Sequence, residues 1–191
     1  MSRIAVIQPP ERQDAVIPYA YRPRMAFAVE ELAQAVYQET TLSYREAEAA
    51  RIVVAHINGC LMCQGYRIAE QLPEALKKMA SGEAPNTGAN RGEAPDDDFY
   101  QAVAEGRRDA GMFSERERMA MEFAERIALT PIPLPYDDEF WDRLKAVYDD
   151  GEIADLTYSI NCWIATGRMV HVLGLDGACM VAPVEARAAA E

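Results

Sequence analysis

No apolar run in this sequence approaches the roughly 20 residues a helix needs to cross a bilayer. The first twenty residues are interrupted by Pro9, Pro10, Glu11 and Arg12 and lack the continuous apolar core of a secretory leader. Basic residues are scarce: 19 Lys and Arg stand against 31 Asp and Glu, a formal net charge of -12. Nucleic-acid binding is driven by neutralising phosphates with cationic side chains, so this balance opposes it. An anionic membrane surface would repel the chain for the same reason. There are only two histidines, and four cysteines are too few for a disulfide scaffold. Structural zinc normally takes four ligands, and no second ligand pair at zinc spacing accompanies the one close cysteine pair. The expectation is a cytoplasmic protein with no metal, no organic cofactor, no membrane and no nucleic-acid partner.

Half of the 191 residues are hydrophobic, enough to bury the core of one domain spanning 1–191. Residues 1–24 are punctuated by Pro and Arg and read as an extended arm. Residues 81–98 contain Gly-Glu-Ala-Pro twice, at Gly82 and Gly92, and read as a flexible linker between two helical halves. Apolar residues recur at three- and four-residue steps over Met25–Thr40. Ser43 with Glu46, and Ser114 with Glu117, carry the capping-box spacing that opens a helix. Asn58-Gly59 breaks the first of these helices, and Cys60 opens another stretch to about Leu72. Pro73 restarts a short helix to Ala80, and Pro131, Pro133 and Pro135 end the Ser114 helix. Asp137 or Asp138 caps the next helix. Asp150-Gly151 makes a turn before a last helix over Ile153–Val172. No segment alternates with period two, so the predicted class is all-α.

The chemistry concentrates at Cys60-Leu61-Met62-Cys63. Two thiols one helical turn apart can close a reversible disulfide, and a nearby helix N-terminus favours the thiolate. At about 100° per residue, Glu48, His56, Cys60, Cys63 and Arg67 share one arc if the helix runs through Gly59. Cys162 and Cys179 have no close partner in sequence and read as buried apolar residues. His171 reads as structural, on a helix that packs near the site.

The stretches 42–48 (Leu-Ser-Tyr-Arg-Glu-Ala-Glu) and 55–63 (Ala-His-Ile-Asn-Gly-Cys-Leu-Met-Cys) resemble the core of the alkylhydroperoxidase D / carboxymuconolactone decarboxylase family. Phe113-Ser114-Glu115-Arg116-Glu117 with Phe123-Ala124 resembles the family's second helix-opening segment. The resemblance covers most of residues 25–175. It implies an alkylhydroperoxidase D-like helical bundle assembled as a homo-oligomer, a trimer or hexamer. It also implies a thiol peroxidase acting on a small hydroperoxide or disulfide and recycled by an external dithiol. Cys63 would attack the peroxide, Cys60 would resolve the product, and Glu48 would be the relay carboxylate. The family's relay histidine is replaced by Arg67, which stays protonated and cannot shuttle a proton at neutral pH. Arg67 is then a partner for a thiolate or for Glu48, and His56 is the candidate to take the relay. Two rivals remain: a carboxymuconolactone decarboxylase-like enzyme, and a non-catalytic redox-sensing or scaffold oligomer.

Overall fold

The computed structural model describes residues 2–8, 10, 18, 20–72, 91–108 and 111–176. Among them every regular element is helical and none is a strand. The elements are α1 (Pro23–Glu39), α2 (Tyr44–Ile57), α3 (Leu61–Gly65), α4 (Asp97–Ala104), α5 (Glu115–Leu129), a 3-10 turn (Leu134–Tyr136), α6 (Asp138–Lys145) and α7 (Asp150–Val172). A further helical stretch begins at Ile68 and is described as far as Leu72. No helix among the described residues is long and apolar enough to cross a membrane.

Helix α2 is the axis of the fold. Its residues from Glu46 through Ala55 are all buried, because α5, α7 and α4 pack around it. Ala47, Ala49, Ala50 and Ala55 keep its surface small enough for close approach on several sides. Both predicted capping boxes form: Ser43 Oγ accepts the Glu46 N–H, and Ser114 Oγ accepts the Glu117 N–H. The two helix starts are then tied to each other crosswise. Arg45 donates to Glu117 at 2.5 Å, and Arg116 donates to Glu46. Each capping carboxylate therefore serves its own N-terminus and the arginine of the facing helix.

Several boundaries differ from the sequence expectation. Helix α1 starts two residues early, because Pro23 fits the first helical position, where its missing N–H costs nothing. The stretch after Cys60 does not run unbroken to Leu72; it extends at Tyr66 and Arg67 before restarting at Ile68. Asp150-Gly151 is the first turn of α7 rather than a preceding loop, since Asp149 caps it in a box with Glu152. Helix α4 begins inside the stretch read as linker. Asp96 caps it, and Phe99, Tyr100, Ala102 and Val103 bury its inner face. The expected helix from Pro73 to Ala80 and residues 81–90 of the linker lie outside the described residues, as does Cys179. Within the arm, the Arg3 N–H bonds to the carbonyl of Leu173 and the Tyr21 hydroxyl to that of Ala5. Its described residues therefore reach the end of α7 in the same chain.

Candidate active site

The dithiol is delivered by the way α2 ends. Asn58 is the C-cap and Gly59 follows at φ +67°, a left-handed conformation that glycine adopts without strain. The Gly59 N–H returns to the His56 carbonyl and the Cys60 N–H to the Ala55 carbonyl. This is the Schellman arrangement of helix ends. Asn58 is locked as well, donating to the Trp163 carbonyl at 3.0 Å and accepting from Arg168 Nε at 3.0 Å. Cys60 therefore emerges in a fixed direction and becomes the N-cap of α3, its sulfur accepting the Cys63 N–H at 3.2 Å.

Cys60 and Cys63 are joined, with the sulfurs 2.13 Å apart and the Cα atoms 5.3 Å apart. The two are not equivalent. Cys60 is fully buried, packed with Val170 and Leu175, whereas Cys63 is half-buried. Cys63 Sγ lies against Gly167 of α7, where an added Cβ would stand 3.6 Å from the sulfur.

Beneath the disulfide is a buried ionic network. Glu48 is 0% exposed and Arg51 3%, and their side chains pair at 2.6 Å. Arg51 donates onward to the carbonyls of Cys63 (2.5 Å) and Tyr66 (2.6 Å). Glu48 accepts from the Ile68 N–H at 2.6 Å and the Tyr100 hydroxyl at 2.9 Å. Burial is the largest influence on Arg51 and would lower its pKa, but Glu48 together with Tyr37 and Tyr100 carries the net shift upward. Burial also pushes the Tyr100 and Tyr66 hydroxyls up, and that of Tyr37 to about 12, so this floor holds no readily titrating phenol.

The five sequence-predicted residues thus divide. Cys60 and Cys63 are joined. Glu48 lies below them and is occupied by Arg51, Tyr100 and the Ile68 amide. The guanidinium of Arg67 stacks 3.7 Å from the centre of the Tyr100 ring and donates to the carbonyls of Gln64 and Tyr66. The cation paired with Glu48 is Arg51. His56 is exposed at the last turn of α2, and partial burial lowers its pKa. The single-arc projection fails because the chain turns at Gly59 instead of continuing as a helix.

Sequence reasoning missed Arg51 and Tyr100. Arg51 had a signal, three residues after Glu48 on the same helical face. Tyr100 had none, since it reaches Glu48 from 52 residues away. The remaining described cysteine, Cys162, is buried, and burial pushes its thiol up to about 11. Among the described residues no group of three or more His, Cys, Asp or Glu could hold a metal. Compared with known proteins, the chain matches no family model, no curated protein and no solved structure.

Proposed function

We propose that this protein is a thiol-dependent oxidoreductase of the alkylhydroperoxidase D-like kind, cycling Cys60 and Cys63 between dithiol and disulfide. The observation that carries the reading is the asymmetry of the pair: half-buried Cys63 bonded to fully buried Cys60. A small hydroperoxide can reach Cys63, while Cys60 has only Cys63 to react with. The Cys63 thiolate attacks a peroxide oxygen; an S–O bond forms, the O–O bond breaks, and the alkoxide leaves to take up a proton. The Cys60 thiol then attacks the sulfenic sulfur, forming the disulfide and releasing water. An external dithiol restores both thiols by two exchange steps.

The direct test is consumption of tert-butyl hydroperoxide with dithiothreitol as reductant. Cys63→Ser should abolish it, and Cys60→Ser should trap a sulfenic acid at Cys63. Undiminished consumption by the double Cys60→Ser, Cys63→Ser variant would overturn the reading. A carboxymuconolactone decarboxylase-like enzyme would tolerate that double variant.

A second reading, a redox sensor without turnover, draws on the engagement of Glu48 and Arg67. Neither is free to shuttle a proton in the way a peroxidase relay requires. A disulfide that forms with hydroperoxide but gives no sustained turnover would select it.

The proposal includes assembly into a trimer or hexamer. Leu32 of α1 and Tyr158 of α7 are exposed and line a groove of about 670 Å³ between these helices. Such a face is suited to burial against another copy. Light scattering that found a monomer at micromolar concentration would contradict it.

A further inference from the structure

Helix α7 ends as α2 does. The Gly174 N–H bonds to the His171 carbonyl and the Leu175 N–H to that of Val170, with Gly174 at φ +64°. The two Schellman ends lie side by side, because Val170 and Leu175 of one pack on Cys60 of the other. This arrangement folds Asp176 back onto His171, with Nδ1 3.3 Å from Asp176 Oδ2. The imidazole is also laid against the turn preceding Cys60: a Cβ on Gly59 would stand 3.1 Å from His171 Cε1 and 3.2 Å from Nε2. One turn earlier on the same helix, Gly167 meets Cys63 Sγ. The Gly167–His171 edge of α7 therefore runs along the dithiol and the turn that precedes it, Gly167 facing Cys63 and the half-exposed imidazole facing Gly59. Among the described residues the other oxygen of Asp176 is buried without a hydrogen-bond partner, and His171 is the side chain this carboxylate meets.

We infer that His171, oriented by Asp176, is the acid–base group of the Cys60–Cys63 dithiol. The inference rests on the redox reading above and deepens it. With Nδ1–H turned to Asp176, Nε2 is the nitrogen left to take and return protons at the sulfurs. In reduction of the disulfide, an external thiolate attacks Cys63 Sγ, the S–S bond breaks, and Cys60 leaves as a thiolate. His171 supplies the proton that makes it a thiol. The second thiol of the reductant then releases Cys63 and is itself oxidised to a disulfide. Among the described residues, the charged groups on the elements packed here are Asp176 after α7, Arg168 one turn back and engaged by Asn58, and, in the arm, Arg3, whose backbone N–H reaches Leu173. The packed turn Asn58-Gly59 adds none, and His56 lies before it on α2.

The test is the rate at which dithiothreitol reduces the oxidised protein between pH 5.5 and 8.5, expressed per reductant thiolate. The wild-type rate should fall as pH rises across this window. His171→Gln should flatten that profile and slow the acid limb by about tenfold, short of the ~10²–10⁴ typical of general acid catalysis because thiolates are good leaving groups. Asp176→Asn should shift the profile. His171→Asn serves as a second replacement should the glutamine not fold. Superimposable wild-type and His171 profiles would overturn the inference while leaving the redox reading intact. A wild-type chain with no reducible Cys60–Cys63 disulfide would instead remove the redox reading itself.

Discussion

Arg51 donates to the carbonyl of Cys63 at 2.5 Å from below the disulfide, which makes one buried cation of α2 the anchor of the turn that carries the thiols. It spans two elements, holding Tyr66 as well, and is neutralised by Glu48. The Cys63 side of the dithiol thus rests on a charged floor, while Cys60 packs on Val170 and Leu175.

Removing that anchor strands a buried carboxylate. Arg51→Met should cost about 3–5 kcal/mol, the range for breaking one partner of a buried pair. Arg51→Lys keeps the charge but not the forked geometry, so its loss should be smaller. Urea unfolding of the oxidised protein measures both; a loss under ~1 kcal/mol for Arg51→Met would contradict the anchor.

Gly167 and Gly65 make a contrasting pair. A Cβ at Gly167 would stand 2.6 Å from Asn58 Nδ2, and Asn58 is fixed between Trp163 and Arg168. Gly167→Ala should destabilise by ~1–3 kcal/mol through overpacking. At Gly65 nothing lies within 4 Å, so Gly65→Ala should be neutral or gain up to ~1 kcal/mol. Thermal melts of the two variants should move apart; equal shifts would refute the close approach of α7.

Alkaline pH should unfold the protein through its phenols. Burial raises Tyr37 from the ordinary 10 to about 12 and pushes Tyr66, Tyr100 and Tyr148 up as well. Between pH ~10 and 12 the folded chain therefore holds protons that the unfolded chain has lost, and stability falls as pH rises through that window. Below pH 10 this contribution is fully present. Absorbance at 295 nm should show some of the nine tyrosines ionising only as circular dichroism is lost. A single reversible step near pH 10 with the fold intact would contradict the burial.

The cysteines should label in order. After reduction, limiting iodoacetamide at neutral pH should modify half-buried Cys63 before Cys162, which is 2% exposed with its thiol pushed up to about 11. Peptide mapping that found Cys162 labelled first would reverse the assignment of the reactive thiol.

The helical class and both capping boxes were legible in the sequence because they rest on local chemistry: Ser43 and Ser114 each reach an amide three residues away. The break at Asn58-Gly59 was legible for the same reason. What followed from it was not. A left-handed glycine redirects the chain, so a face projected through Gly59 does not carry over from α2, where His56 is exposed at the last turn, to the thiols beyond. Helix α4 was hidden by the Gly-, Pro- and Asp-rich composition before it, although Asp96 and the aromatic pair Phe99-Tyr100 are a capped, amphipathic start. Of the site, the disulfide partners could be read from spacing. The Glu48–Tyr100 bond and the crossing of Arg45 and Arg116 onto Glu117 and Glu46 depend on how helices pack, which no local pattern encodes.

The central claim is that Cys60 and Cys63 form a two-electron centre with Cys63 attacking. Its most direct test is a single-turnover titration of the reduced protein with hydroperoxide, followed by thiol counting and mass mapping. The account predicts two thiols lost per hydroperoxide consumed, a Cys60–Cys63 disulfide as the product, and a sulfenic acid on Cys63 when Cys60 is serine. Hydroperoxide consumed without loss of these two thiols, or a sulfenic acid that accumulates on Cys60 in Cys63→Ser at the wild-type rate, would contradict it.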